Sequence, residues 1–299
     1  MWRSHAPEST VLVAQPLRPG NGNGMTFNRM HRAAAQYAEM DNDRLGLFCR
    51  PVSLHSSDSR RVGTQPQGSM LTLLHHPFCP HSRYIRLALA EHGLEHHTTE
   101  ERVWERRQEF LMLNPAATTP VLIADGYPPV PGAAIIAEFL DETNGSELQE
   151  RRLLPANIRQ RIEVRRLAAW FNEKFFTEVS GPLVLERFYK RLMRIEQGGG
   201  PPDTDAIRAA RINVRYHIAY IGWLVRTRDW LAGDQMTLAD LAAAAHLSAV
   251  DYLGDVPWSE DEASKNWYAR VKSRPSFRPI LAETWPGLAP APAYTNLDF

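Results

Sequence analysis

The residue with the clearest chemical potential is Cys79, which opens the tetrapeptide Cys79-Pro80-His81-Ser82. An apolar run at 71–74 precedes it, and a helical pattern at 83–92 follows it. A thiol at the start of a helix faces unsatisfied N–H groups and the positive end of the helix dipole, which favour the thiolate. The pattern therefore predicts a reactive cysteine, with Ser82 in the first turn as the candidate to orient the sulfur.

Two alternatives use the same stretch of chain. Because Ser82 cannot resolve a disulfide, thiol chemistry at Cys79 would need an external thiol, either to conjugate it or to reduce mixed disulfides. A metal site built from His75, His76, Cys79 and His81 is not expected, since their spacing matches no structural zinc pattern. The remaining possibility is that Cys79 is a small packing residue without chemistry.

The elements that would position Cys79 alternate between strand and helix. Strands are predicted at 71–74, 98–101 and 120–123, with a weak strand near 129–130, and helices at 83–92, 104–113 and 133–143. This order, β-α-β, a connecting helix and then β-β-α, predicts a thioredoxin-like α/β domain.

From residue 155 onward the apolar period is that of helices alone. Val164, Leu167, Phe171, Phe175 and Val179 recur at three- or four-residue spacing and predict a core-facing stripe. A second helix is predicted from Ile207 to Val225 by the same spacing.

One further helix start is marked by Thr237 and Asp240, which fit a capping box. The Ala-rich helix that follows should cross the middle of an all-helical domain. His246 within it is expected to be a hydrogen-bonded core residue.

Composition excludes several functional classes. The 299 residues carry 34 basic and 34 acidic side chains, so no general attraction to nucleic acid or to an anionic membrane is expected. Membrane insertion is not expected because no apolar run approaches the roughly 18 residues that a bilayer span requires. The two cysteines do not suggest a disulfide framework, which favours a cytoplasmic location.

The chain is predicted to divide into four parts: a disordered N-terminal extension at 1–69, a thioredoxin-like domain at 70–150, an all-helical domain at 155–284 and an extended tail at 285–299. The extension contains no recognisable catalytic motif. We expect it to be an artefact of an upstream start codon, with translation beginning at Met70.

Taken together, the motifs resemble the cytosolic glutathione transferases, a family with a thioredoxin-like domain followed by an all-helical domain. The resemblance is carried by Cys79 to Ser82, by Asn114-Pro115, by Thr119-Pro120-Val121-Leu122 and by the Thr237/Asp240 capping box. It implies that Cys79 stands at the catalytic position and that Pro120 is cis. It also implies that the backbone of Thr119 would face the cysteine of glutathione.

The same comparison reveals a departure at the start of the third helix. Members of the family hold the γ-glutamyl group of glutathione there with an acidic residue or Gln followed by Ser, whereas this chain has Pro131-Gly132. Neither side chain can form a hydrogen bond. Thr119, Pro120 and Gly132 are therefore expected to form a vestigial glutathione cleft. No cofactor is expected. The alternative is a glutathione-dependent transferase or thiol reductase that uses Cys79, and glutathione would then be the cofactor.

Longer stretches resemble a branch of the family found in alphaproteobacteria, whose members bind the tubulin-like filament protein FtsZ and act in cell division. They are Trp104 to Arg107, residues 251–258, residues 267–279 and the terminal Leu297-Asp298-Phe299. This resemblance implies a homodimeric scaffold at the division site that binds FtsZ filaments and promotes constriction. Aromatic and arginine side chains dominate the binding energy of interfaces. The expected contact residues are therefore Trp104, Arg106, Arg107, Glu186, Arg187, Lys190, Asp298 and Phe299. The alternative is that the arginines simply form a solvent-exposed face.

Overall fold

The structure is a computed structural model that describes residues 70–297. The predicted extension at 1–69 and the predicted contact residues Asp298 and Phe299 lie outside the described residues. Within them a four-stranded sheet with covering helices is followed by an all-helical part. The predicted fold class is therefore confirmed, while the proposed domain limits remain predictions.

The sheet places Cys79 at the end of a central strand. Its strands are β1 (Leu71–His75), β2 (His96–Glu100), β3 (Val121–Ala124) and β4 (Val130–Pro131), arranged in the order β2-β1-β3-β4. Strand β1 pairs in parallel with β2 and antiparallel with β3, and Leu73 lies opposite Thr98 on one side and Leu122 on the other. Leu71, Leu73 and His75 alternate into the core, as a strand with one buried face requires.

The helices of the first part are α1 (Pro80–Glu91), α2 (Gln108–Leu113) and α3 (Ala133–Asn144). Helix α1 begins three residues earlier than predicted because Pro80 occupies the first turn, where its missing N–H costs nothing. The single helix predicted at 104–113 is wrong. A 3₁₀ turn (Val103–Glu105) and α2 replace it because Arg106 adopts the left-handed conformation, with φ of 49°, and interrupts the helix.

The second part is built on long helices. A continuous helical stretch contains α4 (Ile158–Ala169), a π-helical segment (Trp170–Ser180), α5 (Gly181–Val184), a second π-helical segment (Leu185–Tyr189) and α6 (Lys190–Leu192). After it come α7 (Thr204–Thr227), α8 (Leu238–Tyr252), α9 (Glu262–Lys272), α10 (Arg278–Leu281) and α11 (Pro292–Thr295), with shorter 3₁₀ turns at Gly145–Arg151, Ile195–Gln197, Trp258–Glu260 and Pro275–Phe277.

Helix α8 runs through the centre of the molecule, and every one of its residues is buried. The predicted capping box at its start is confirmed: Thr237 Oγ1 accepts the backbone N–H of Ala239, and the Asp240 carboxylate accepts the N–H of Thr237 at 2.9 Å. The predicted stripe from Val164 to Val179 is also confirmed, since all five residues are buried in the core. Among residues 70–297, no helix combines the length and apolarity needed to cross a membrane.

The segment after residue 285, predicted as an extended tail, is docked on the helical part. Tyr294 is fully buried and its hydroxyl donates to the carbonyl of Ile280 at 2.9 Å. Tyr252 donates through its hydroxyl to Leu288 and accepts from the N–H of Ala291 through its carbonyl. Tyr294 is therefore the residue that anchors this segment, while Leu297 is exposed.

Candidate functional site

Cys79 caps α1, and its immediate surroundings match the predicted cleft. The Sγ atom lies 3.8 Å from the carbonyl oxygen of Thr119, and the Thr119–Pro120 peptide bond is cis, as predicted. The carbonyl of Pro120 accepts the N–H of Gly132 at 2.9 Å. The four cleft positions predicted from separate parts of the sequence are thus connected through direct contacts.

The Cys79 thiol is buried but lies in a polar setting. Burial raises the pKa of the thiol. Hydrogen bonding and charge from His81, together with Ser82, lower the pKa by more than burial raises it, so the net result is a pKa of about 7. Ser82 itself is fully buried. Its backbone N–H and hydroxyl lie close enough to the sulfur to favour the thiolate, but the hydroxyl forms no hydrogen bond of ordinary geometry within residues 70–297. Its predicted role of orienting the sulfur therefore remains a prediction.

His81 connects Cys79 to a polar network that sequence reasoning missed. Its Nε2 atom donates to the carbonyl of Asn172 at 2.9 Å, and its ring meets that of His246 edge-on at 4.9 Å. His246 is fully buried, with Nδ1 2.8 Å from Ser180 Oγ and Nε2 3.2 Å from Asn172 Oδ1. The prediction that His246 is a hydrogen-bonded core residue is confirmed. These hydrogen bonds join residues 66 to 91 positions apart, so no local pattern could have revealed them.

The start of α3 offers backbone groups but no side chain for a ligand. Gly132 precedes the helix with φ of 89°, and a Cβ atom added there would meet nothing within 4 Å. No acidic residue stands in the first turn, and the start of α3 has no side-chain cap. The site where the family binds the γ-glutamyl group is therefore open space without a carboxylate or hydroxyl.

An aromatic cluster surrounds the turn that leads into Cys79. His76 stacks on Trp285 with centroids 5.7 Å apart, and it contacts Trp104 at 5.4 Å and Tyr189 at 4.9 Å. Phe78 contacts the same Trp285 edge-on. These residues come from the turn after β1, from the 3₁₀ turn after β2, from the second π-helical segment and from the C-terminal segment, so the cluster joins the two parts of the fold.

Among the predicted partner contacts, Trp104 is half-buried in this cluster and Arg106 is exposed. Arg106 forms no ion pair within residues 70–297. Arg107 is not free, because it forms a bidentate ion pair with the buried carboxylate of Glu101, with the shorter contact at 2.6 Å. Arg106 and Arg107 are thus both exposed and Trp104 is half-buried, but of the two arginines only Arg107 is held by an ion pair within residues 70–297.

The expectation that Glu186, Arg187 and Lys190 are exposed anchors is corrected. Glu186 is buried, pairs with Lys190 at 2.5 Å and accepts the N–H of Asp203 at 2.7 Å. Arg187 pairs with Asp255 and donates to the carbonyl of Leu253 at 2.8 Å. The helix turns these charges toward neighbouring loops, where they serve the fold. Asp298 and Phe299 lie outside the described residues.

Within residues 70–297 no group of three or more His, Cys, Asp or Glu side chains is arranged to hold a metal ion. His75 and His76, the candidates beside Cys79, are both buried. Burial, with the positive charge of Arg86, lowers the pKa of His75 to about 3, and burial, with Arg102 and Arg83, lowers the pKa of His76 to about 3. Both rings are therefore neutral at physiological pH.

The family models agree with this geometry. The glutathione S-transferase N-terminal domain matches residues 78–143, and the glutathione S-transferase C-terminal domain matches residues 204–275. The first match covers Cys79, the cis-proline and the start of α3. The second covers α7, α8 and α9.

Individual relatives extend the similarity over the described part of the chain. FtsZ-localized protein A of Caulobacter vibrioides is 48% identical over 231 residues, which cover 76% of this chain and 98% of that protein. A crystal structure of a glutathione S-transferase from Sinorhizobium meliloti is 50% identical with a TM-score of 0.75, covering 77% of this chain and all of that one. The structure of FzlA from C. crescentus has 47% identity and a TM-score of 0.71 over the same shares. On these grounds the chain belongs to the glutathione S-transferase family.

Proposed function

We propose that this protein is a scaffold with a glutathione transferase fold that binds FtsZ filaments and acts in cell division, in the cytoplasm at the division site. The observation that carries the proposal is the 48% identity to FtsZ-localized protein A over 98% of that protein's length. By comparison, a yeast glutathione S-transferase is only 26% identical over 220 residues, so the similarity to FtsZ-localized protein A goes beyond what the shared fold requires.

The altered cleft supports a scaffold over ordinary glutathione chemistry. Pro131-Gly132 offers no side-chain hydrogen bond to a γ-glutamyl group, and unpaired polar groups of a ligand cost about 1–3 kcal/mol each. The residues present therefore do not fit glutathione at this end, although the carbonyl of Thr119 remains beside Cys79. We infer that no glutathione cofactor is needed.

The proposed contact surface lies where the loop after β2 meets the helical part. Trp104 contacts Tyr189 at 5.1 Å and is half-buried, so it can gain contact area when a partner covers it. Arg106 beside it is exposed and adds a guanidinium group to the same surface. Asp298 and Phe299, the remaining predicted contact residues, follow closely in sequence after the docked segment that ends at Thr295.

A homodimer is part of the proposal, because large apolar side chains are exposed on several helices. They belong to α3, α4 and α7, and comprise Ile135, Ile158, Ile162, Ile212, Tyr216 and Trp223. On α7, Tyr216 and Trp223 adjoin Tyr220 and Trp170 through ring contacts, and a contiguous apolar patch of this kind marks an interaction surface. Two-fold pairing with a second copy would cover them and would let two weak filament sites bind together. Replacing Trp223 with Arg should shift the molecular mass in light scattering from dimer to monomer.

Co-sedimentation with assembled FtsZ tests the proposal. The protein should pellet with FtsZ polymers formed in GTP and stay in the supernatant without polymer. Arg106→Glu should weaken pelleting several-fold, on the order of the 1 kcal/mol typical of an interface charge. The matched control Arg159→Glu changes an equally exposed arginine on α4 that forms no ion pair in the described part of the chain, and it should pellet normally. Absence of pelleting by the unaltered protein would reject the proposal.

One observation favours a second candidate, thiol chemistry at Cys79. A pKa near 7 gives a substantial thiolate fraction at physiological pH. In this case the protein would conjugate an external thiol or reduce mixed disulfides. Cys79→Ser should then abolish turnover of an electrophile such as 1-chloro-2,4-dinitrobenzene with glutathione, and an absence of turnover in the unaltered protein would dismiss the candidate.

A further inference from the structure

Cys79 has a histidine within hydrogen-bonding reach, His81, two positions further along the chain. The Nε2 atom of His81 lies 2.9 Å from the backbone carbonyl oxygen of Asn172. Because a carbonyl oxygen can only accept, Nε2 carries the hydrogen of the neutral ring and Nδ1 keeps the lone pair. Nδ1 is therefore the atom of His81 that can take the proton of the Cys79 thiol.

The orientation of His81 is fixed by a second set of hydrogen bonds. Asn172 Nδ2 donates to the carbonyl of Ala168 at 2.9 Å, so Asn172 Oδ1 accepts from Nε2 of His246 at 3.2 Å. Nδ1 of His246 accepts from the Ser180 hydroxyl at 2.8 Å, and the His246 ring meets that of His81 edge-on at 4.9 Å. His81 is thus a base held between a nucleophile and an orienting carbonyl, which is the arrangement of nucleophilic catalytic sites.

Ser82 supplies hydrogen-bond donors beside the sulfur. Its backbone N–H and its hydroxyl both lie close to Cys79 Sγ. The N–H belongs to the first turn of α1, where it has no acceptor within the helix. The hydroxyl is fully buried and forms no hydrogen bond of ordinary geometry within residues 70–297. Both groups can therefore donate to a negatively charged oxygen that forms next to the sulfur.

These groups suit acyl transfer better than alkylation. An alkylating electrophile requires only a thiolate, whereas transfer of an acyl group also requires donors for the oxyanion and a proton for the leaving group. Cys79, Ser82 and His81 provide these three functions in that order. The site therefore holds more than a simple alkylation would use.

The cleft beside Cys79 decides which acyl compounds the site suits. Cys79 keeps 9% of its surface exposed, and Gly132 borders open space, since a Cβ atom added there would meet nothing within 4 Å. The first turn of α3 has no acidic residue and no side-chain cap, so it favours a small uncharged acyl group. A thioester suits a thiol nucleophile because the exchange of one thioester for another conserves the type of bond.

We infer that Cys79 is the nucleophile of an acyl-transfer site for thioesters of small uncharged acyl groups, with His81 as general base and acid and Ser82 as oxyanion donor. His81 Nδ1 takes the thiol proton while Cys79 Sγ bonds to the acyl carbon. The carbon–sulfur bond of the substrate then breaks, and the proton passes from His81 to the leaving sulfur. Water next attacks the acyl group on Cys79 and loses a proton to His81, which returns it to the Cys79 sulfur as the carboxylic acid leaves. This activity requires no glutathione and goes beyond the proposed function.

Acetyl transfer from a simple thioester tests the inference. The full-length protein with Cys49→Ser, in which Cys79 is the sole cysteine, is mixed with S-acetyl-N-acetylcysteamine. Proton NMR should show the release of acetate, and mass spectrometry after rapid quenching should locate one acetyl group on Cys79. The matched protein that also carries Cys79→Ser should show neither. Equal acetate release by the two proteins, or no acetyl group on Cys79, would overturn the inference.

His81→Gln separates a general base from a residue that only tunes the thiol. Gln can still donate to the Asn172 carbonyl, but it cannot take up a proton. The rate of thioester consumption, divided by the rate of iodoacetamide alkylation at the same pH, corrects for the fraction of thiolate. This ratio should fall roughly a hundredfold in His81→Gln and in Ser82→Ala. The matched control His97→Gln changes an exposed histidine on β2 and should leave the ratio unchanged.

Thermal unfolding of each variant shows whether it folds. A folded His81→Gln or Ser82→Ala protein with an unchanged ratio would show that the two side chains take no part in the transfer, and would overturn the inference. The Cys79→Ser comparison decides the inference if either of these variants fails to fold.

Discussion

At the scale of single residues, the two sides of the cleft differ in what they offer a ligand. Cys79 keeps the surroundings of a reactive thiol, with the Thr119 carbonyl 3.8 Å from the sulfur and His81 close by. Gly132 on the other side has no side chain to offer a ligand. An activated thiol opposite a helix start that offers no side-chain ligand supports the proposal that this fold serves binding.

The state of Cys79 gives the first prediction. In a Cys49→Ser background, the rate of alkylation by iodoacetamide should rise with pH around a midpoint near 7, because the thiolate is the nucleophile. His81→Gln should move the midpoint upward, since the hydrogen bond and charge of His81 lower the pKa of the thiol. Midpoints near 9 in both proteins would contradict this account.

Cys79 could be predicted from its local pattern, because it precedes a proline at a helix start. The cis Thr119–Pro120 bond was implied only by the resemblance to the glutathione transferases. The cluster around His76 could not be predicted, because Trp104, Tyr189 and Trp285 meet it only through the packing of distant elements. Equally, sequence could not tell that Glu186 and Arg187 face neighbouring loops.

At the scale of elements, the central helix α8 depends on one carboxylate. Asp240 is fully buried and accepts from the N–H of Leu231 at 3.0 Å, from Thr237 through both its N–H and its hydroxyl, and from Trp267 Nε1 at 2.9 Å. Only the bond to Thr237 was evident in the sequence. The others fix the preceding loop and α9 against the start of α8.

Asp240→Ala should therefore destabilise the protein strongly. Each buried donor left without an acceptor costs about 1–3 kcal/mol, so a loss of 3 kcal/mol or more in the free energy of unfolding is expected. The comparison is Asp205→Ala, which removes an exposed carboxylate in the first turn of α7 and should cost about 1 kcal/mol or less. Urea denaturation followed by circular dichroism measures both values, and similar losses would contradict this explanation.

The end of β1 makes stability depend on pH. His75 and His76 have pKa values of about 3 in the folded protein against 6.5 in the unfolded chain, so the unfolded state takes up protons first as the pH falls. Their contribution is complete above pH 6.5 and declines progressively toward pH 3. These two histidines should account for roughly 4 kcal/mol of the stability lost between pH 7 and pH 5. His92, His217 and His246, whose pKa values burial also lowers, should add to that loss.

Urea denaturation at these two pH values tests this dependence. His97→Gln, which alters an exposed histidine on β2, should leave the loss unchanged. An equal free energy of unfolding at pH 7 and pH 5 would show that His75 and His76 titrate normally.

At the scale of the whole molecule, the C-terminal segment connects the cleft to the surface. Trp285 stacks on His76 beside Cys79, and Tyr294 is buried nine residues later. The same segment therefore fills space near the thiol and fixes the point from which the last residues continue. Fold class and helix order were predictable from apolar periodicity, but this docking was not, because the segment has little apolar pattern of its own.

The central claim is that the protein binds filaments through its surface and not through a glutathione-loaded cleft. The most direct test is co-sedimentation with GTP-assembled FtsZ in the absence and presence of millimolar reduced glutathione. We predict that the protein pellets with the polymer equally in both conditions. No pelleting, or pelleting that glutathione abolishes or that requires glutathione, would contradict the account.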